Sequence, residues 1–291
     1  MRRAKVLGAT LAAIGAIAIA VPAEAQEVGA DLGLFSSYVW RGLSLTNKPV
    51  AEPDLYVSFP AGKASVTVGG WANIDLGKYD DLDHDISESG GLSAFNFAEF
   101  DPYAEIAFTV GKATLTGGAT AYIYPNKVGS ATNVNDFGLL TSESNTVEIY
   151  GRLEVDAPLS PALSIYYDVD KIKGAYIEGS ISHSLVLSEK VGLDLGALAG
   201  FSAGQGINDD PNSDESSNFD GDGFTHLDLS AGLPITAGAV SITPALHLVI
   251  NGDDRVKVTS PTSTSDAKLW GGVTLSWSKS YGEEAEEAAP A

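Results

Sequence analysis

Apolar and polar residues alternate with a period of two over most of this chain. The clearest stretch is 145–157. Val147, Ile149, Gly151, Leu153, Val155 and Ala157 fall on one face; Thr146, Glu148, Tyr150, Arg152, Glu154 and Asp156 fall on the other. Successive side chains of a strand point to opposite faces, so this segment reads as a strand with one apolar and one polar surface. On a helix its charges would wrap all the way round. The same alternation predicts twelve strands, at 29–41, 51–59, 65–77, 98–109, 113–124, 146–156, 163–170, 175–187, 191–203, 224–233, 239–250 and 267–281. Most are ~9–13 residues long, enough to cross a bilayer at a tilt. Strands of soluble sandwiches usually run to about 5–6 residues.

The connections alternate too. Those at 42–50, 78–97, 125–145, 204–223 and 251–266 are long, and those at 60–64, 110–112, 157–162, 188–190 and 234–238 are short. Only 171–174 breaks the phase, by being short where a long one is due. A transmembrane barrel has short turns on the periplasmic side and long loops outside. The expectation is therefore an all-β chain forming a single antiparallel β-barrel of about twelve strands, with both termini in the periplasm. Glu148, Arg152 and Glu154 cannot face lipid, so the polar face must line a wet lumen. Tyr38, Trp40, Phe59, Phe100, Trp277 and Tyr281 stand near strand ends, where aromatic girdles meet the membrane interface. The other reading is a soluble, acidic β-sandwich.

The N-terminus reads as an address label. Met1-Arg2-Arg3-Ala4-Lys5 is basic, 6–21 is apolar and uncharged, and Ala23-Glu24-Ala25 forms an A-x-A site. This predicts a secretory signal peptide at 1–25, a barrel at 26–281 and an acidic tail at 282–291. Removing 1–25 takes away Arg2, Arg3, Lys5 and Glu24. The 17 basic and 38 acidic residues then fall to 14 and 37, a net charge of −23. So acidic a chain is a poor partner for nucleic acid. The absence of cysteine excludes disulfide and cysteine-zinc frameworks.

The segment Phe35-Ser36-Ser37-Tyr38-Val39-Trp40-Arg41-Gly42-Leu43-Ser44-Leu45-Thr46 resembles the opening strand of the TorF-type family of bacterial porins, and Pro53-Asp54-Leu55-Tyr56-Val57-Ser58 is similar in kind. The motif-bearing match covers about 25 residues. The resemblance implies an outer-membrane barrel and, less directly, transport. It brings no catalytic residues with it.

The alternation selects the lumen candidates: Arg41, Glu52, Asp54, Glu99, Asp101, Glu105, Glu148, Arg152, Glu154, Asp168, Glu178, Asp194, Asp228 and His247. Acids dominate. Arg41 and Arg152 are expected to pair with carboxylates, because charges in a narrow barrel need water or a partner. Two readings stay open: a salt-bridge network that fills the lumen, or an acidic eyelet that favours cations. Carboxylates alternate at Asp81, Asp83 and Asp85, and again at Asp220 and Asp222, in predicted loops. Such spacing suits weak Ca²⁺ binding, although neither cluster matches an EF-hand loop, and solvated acidic loops are the competing reading.

The expected partners are outer-membrane lipid, lipopolysaccharide and the barrel-assembly machinery, with a homo-oligomer as a further option. Passive diffusion of small polar solutes, preferably cations, is the expected function, with no catalysis. The alternatives are a closed barrel acting through its acidic loops, and a lipid-modifying hydrolase built on His183, which the alternation turns toward lipid. Ser36 is the outward serine weighed for the hydrolase, but it lies on a distant strand.

Overall fold

The computed structural model describes residues 26–77, 95–125, 145–207, 217–260 and 263–281. Twelve antiparallel strands form the wall: β1 (Gln26–Phe35), β2 (Val50–Ala61), β3 (Ala64–Asp75), β4 (Asn96–Val110), β5 (Ala113–Tyr122), β6 (Thr146–Val155), β7 (Ala162–Asp168), β8 (Ala175–Val186), β9 (Gly192–Ala203), β10 (Gly223–Gly232), β11 (Val240–Asn251) and β12 (Ala267–Tyr281). Each pairs with the next in sequence, and β12 returns to β1, with Gln26 opposite Tyr281 and Phe35 opposite Gly272. The sheet therefore closes with no free edge, which is what lets strands cross lipid without unpaired backbone groups. The signal-peptide and tail segments lie outside the described residues.

Alternation settles which side of the wall is which. Ile149, Leu153, Leu163, Ile165, Tyr167, Ile181, Leu185, Leu195, Leu229, Leu246, Leu248 and Leu275 are all large, apolar and exposed on the outer face. Glu99, Asp101, Thr116, Glu148, Ser164 and Asp168 are buried on the inner one. The usual burial rule is inverted, as it is when the solvent outside is hydrocarbon. An apolar surface of this extent does not persist in water. The chain is thus a transmembrane barrel of the bacterial outer-membrane kind, and no helix among the described residues is long and apolar enough to cross a membrane.

The register puts Gln26, Tyr281 and the short turns, that at 171–174 apart, at one end, here the turn end, and the longer connections at the other, the loop end. The short connection at 171–174 is closed by Asp168. Its Oδ1 accepts the amides of Asp170 and Ile172, each at 2.9 Å, so a compact turn replaces a long loop.

The first strand differs from the expected 29–41. It stops at Phe35, and the chain bends at Ser36 and Ser37 and turns into the barrel. Tyr38–Trp40 and Leu43–Thr46 then form a separate small hairpin. Tyr38 and Trp40 are consequently not girdle residues. They pack inside, Tyr38 against Trp71 and Trp40 against Tyr122. Period two runs on through the bend because the hairpin is itself extended. Trp277 and Tyr281 do lie exposed, toward the turn end of β12.

Candidate functional site

The inward hairpin is the centre of the lumen. Its two-residue turn is Arg41-Gly42, with φ of +50° and +82°. Positive φ at both central positions is the type I′ geometry that suits the right-handed twist of a hairpin. Glycine adopts it freely, whereas arginine does so at a cost that its contacts must offset. Gly42 has a second reason to lack a side chain: a Cβ there would stand 2.6 Å from the His226 ring. Gly42→Ala is expected to destabilise the barrel by about 1–3 kcal/mol. Urea unfolding of the refolded protein in lipid vesicles reads this, and an unmoved midpoint would show that the turn does not rest against His226.

Arg41 projects across the lumen to the opposite wall. Its Nη1 and Nη2 donate to Glu148 Oε1 and Oε2 at 2.8 and 2.6 Å, a bidentate ion pair whose side chains are 7% and 2% exposed. Glu148 Oε2 also accepts the Tyr122 hydroxyl at 2.8 Å. The guanidinium lies 4.4 Å from the Trp40 ring centre, 4.6 Å from Tyr166 and 4.4 Å from Tyr176. Burial alone would lower the pKa of Arg41, but the adjacent Glu148 carboxylate and the tyrosines hold it above the ordinary guanidinium value, so the charge persists. A planar cation with a fork of donors meets both demands at once, carboxylate at its edge and aromatic rings at its faces.

On the other side Lys268 ties down the base of the hairpin. Its Nζ donates to Ser37 Oγ at 2.7 Å, to Asn47 Oδ1 at 2.9 Å and to Ser44 Oγ. Loop residues complete the cover. Phe219 is fully buried and stacks on Tyr176 at 6.0 Å, and His226 stacks on the same ring. Asn218 donates to Gln205 Oε1, and Gln205 donates to the Gly174 carbonyl. Tyr38, Leu43, Leu45, Val50, Tyr176, Phe219, Val249 and Val256 form one apolar cluster. This protein has a conventional core, but it sits inside the loop half of the barrel.

The turn half is built differently. Tyr56, Tyr103 and Tyr150 each lie over a directly paired glycine: Gly29, Gly69 and Gly118. A Cβ on any of the three would overlap the ring. Each hydroxyl then donates to a carboxylate: Tyr56 to Glu27 at 3.4 Å, Tyr103 to Asp54 at 3.1 Å, Tyr150 to Glu105 at 2.9 Å. Tyr166 continues the series, with its hydroxyl on Glu178 at 3.2 Å and its ring 5.6 Å from Tyr150. Luminal acids are thus held by phenol hydroxyls. Nearer the turn end the crowding is gone: Arg152 and Glu154 side chains are 41% and 49% exposed and 3.9 Å apart.

The sequence candidates fall into three settings. Arg41, Glu99, Asp101, Glu148 and Asp168 are buried in the loop half, with Glu52 facing Glu99 there. Asp54, Glu105, Arg152, Glu154 and Glu178 line the more open turn half. Asp194, Asp228 and His247 occupy the β9–β11 sector, where His247 Nδ1 lies 3.2 Å from Asp228 and its ring stacks on Trp270 at 4.2 Å. Arg41 reaches the lumen from a hairpin rather than from a strand. Sequence reasoning missed Lys268 as the anchor of that hairpin, and the serines it holds carry no charge pattern that would have found it.

Of the alternating acids weighed for Ca²⁺, Asp81, Asp83 and Asp85 lie outside the described residues. Asp222 Oδ1 accepts the Gly204 amide at 2.7 Å and the Ser202 hydroxyl at 3.1 Å, and the Asp220 amide donates to Asp253. Among the described residues no three His, Cys, Asp or Glu side chains are grouped to hold a metal ion. His183 is exposed on the outer face near the turn end of β8, paired with Leu195. Ser36 sits at the loop end of β1, too far away to serve it.

Residues 19–205 match the model of a family described as a bacterial protein of unknown function, Gcw_chp. The 35–46 motif lies within that stretch, but the family found there is not the TorF-type one it resembles. No curated protein matches the chain. Among solved structures, an outer membrane channel from Pseudomonas putida F1 is 9% identical, with 89% of this chain and 97% of that chain covered and a TM-score of 0.47. The NanC porin is 9% identical, with coverages of 86% and 98% and a TM-score of 0.46. The toluene transporter TbuX of Ralstonia pickettii is 11% identical, with coverages of 90% and 92% and a TM-score of 0.39.

Proposed function

We propose that this chain, which belongs to the Gcw_chp family, is an outer-membrane channel for small polar solutes that favours cations and is constricted by its own hairpin. One observation carries the reading. The inner wall is polar and acidic along its length, yet only the loop half is packed shut. An inert barrel has no need of a wet, charged vestibule below its core. The acidic wall would raise the local concentration of cations and deplete anions. The hairpin is held by one ion pair, one lysine and packing, with no covalent tie, so a path past it requires only local rearrangement. In this reading the turn end and both termini face the periplasm, and the loops meet lipopolysaccharide.

The test is conductance of refolded 26–291 in a planar bilayer, with the reversal potential measured under a KCl gradient. Unit steps with a cation-selective reversal potential are expected. Arg41→Ala, which releases the hairpin from β6, should raise the conductance or open probability several-fold. If folded wild-type and Arg41→Ala barrels are both silent, the channel reading fails and a closed barrel working through its loops takes its place.

A further inference from the structure

We infer that the loop half of the lumen contains a binding site for a hard divalent cation, formed by Asn73, Glu99 and Asp101 on β3 and β4. Asn73 is directly opposite Glu99 in the register, and Asp101 is two residues further along the same inner face, opposite Trp71. Side chains so related on one sheet face reach a common point. Asn73, Glu99 and Asp101 are 2%, 2% and 7% exposed.

Each of the three retains a buried oxygen with no partner: Asn73 Oδ1, Glu99 Oε2 and Asp101 Oδ1. With the carboxyls ionised all are acceptors, so no pairing among them can satisfy the set. The Asn73 amide is oriented by Asp75, whose Oδ1 takes its Nδ2 at 3.0 Å. That bond engages the amide nitrogen and leaves the amide oxygen unmet. The Tyr38 and Tyr124 hydroxyls face Glu99, yet Oε2 remains unmet. Among the described residues no Lys or Arg forms an ion pair with Glu52, Glu99 or Asp101. Elsewhere in the lumen Arg41 answers Glu148 and tyrosines answer Asp54, Glu105 and Glu178. Among the described residues this corner brings Glu52, Glu99 and Asp101 together with no answering cation.

Unpaired buried acceptors and carboxylates are costly, and a bound cation removes that cost. Two carboxylates balance a charge of two, and oxygen-only donors select a hard ion such as Ca²⁺. With one amide and two acids the site is weaker than a three-carboxylate cage, and water would complete its shell. It lies between the wall and Tyr38 of the hairpin, so an occupying ion would also help to seat the hairpin. None of this requires that solutes permeate.

Terbium(III), a luminescent stand-in for Ca²⁺, tests the assignment, because Trp71 and Tyr38 lie close enough to sensitise it. The protein is refolded with Tb³⁺ and excited in the aromatic band. Saturable luminescence displaced by Ca²⁺ is expected. It should be lost in E99Q/D101N and kept in D220N/D222N. Asn73→Ser keeps both carboxylates and should weaken binding roughly tenfold; it serves if the double variant does not fold. A folded wild-type barrel that stays dark, or a signal that survives E99Q/D101N or is unchanged in Asn73→Ser, overturns the site.

Discussion

Glu148→Ala should lower the stability of the folded barrel by about 3–5 kcal/mol, the range for removing one member of a buried ion pair. The cost comes from what remains. Arg41 would keep its charge inside a cage of Trp40, Tyr166 and Tyr176, with no carboxylate at its edge. The Tyr122 hydroxyl would lose its acceptor as well. Removing both charges together, as in R41M/E148L, should recover most of the loss, because two apolar groups leave nothing unpaired. Urea unfolding in lipid vesicles measures both variants. A loss under about 1 kcal/mol for Glu148→Ala would place the pair among exposed surface bridges and remove the hairpin's main anchor.

Ile149→Arg should cost about 2–4 kcal/mol, the penalty for a basic residue on the lipid face near the bilayer midplane. Ile149 is 51% exposed and adjoins Glu148, yet the two side chains occupy different solvents. The matched control is Thr114→Arg, an inner-face substitution opposite Glu154 in the wide part of the lumen, where water can hydrate the new charge. It should fall within about 1 kcal/mol of wild type. Equal effects at the two positions would refute the assignment of inside and outside. The same vesicle assay reads both.

Strand number and the sidedness of the wall were legible because period two is a one-dimensional signal, and charge decides which face can meet hydrocarbon. Glu148, Arg152 and Glu154 were sufficient for that. The fate of 36–48 was not legible in the same way. Tyr38 and Trp40 continue the alternation of β1, and an aromatic at a strand end reads alike whether it meets lipid headgroups or a luminal core. The one local clue was Arg41-Gly42, a dipeptide able to form a tight turn, and it was split between the end of the first strand and the start of the long connection. Partners are harder still to read. Arg41 and Glu148 are 107 residues apart, and Lys268 lies 231 residues from Ser37. Only closure of the barrel brings them together. The glycine positions under Tyr56, Tyr103 and Tyr150 were likewise assigned to strands without their purpose, since that depends on register.

The tyrosines are not spread evenly round the wall. They come from β2, β4, β5, β6, β7 and β8, whereas the inner face of β9 to β12, between Asp194, Leu198, Asp228, His247, Lys268 and Trp270, carries Gly196, Gly200, Ser230, Gly232, Ala245, Gly272, Thr274 and Ser276. One side of the tube is therefore thick and stiff, and the other is thin. In the proposed channel the bore would run off-centre, along the small-residue arc, and a solute would travel beside bare backbone while the phenol-bound acids act on it from across the gap. Widening or narrowing that arc, for instance at Ser230 or Ser276, should tune calibre without disturbing the charges that set preference. Size and sign would then be adjustable separately, on opposite walls of one passage.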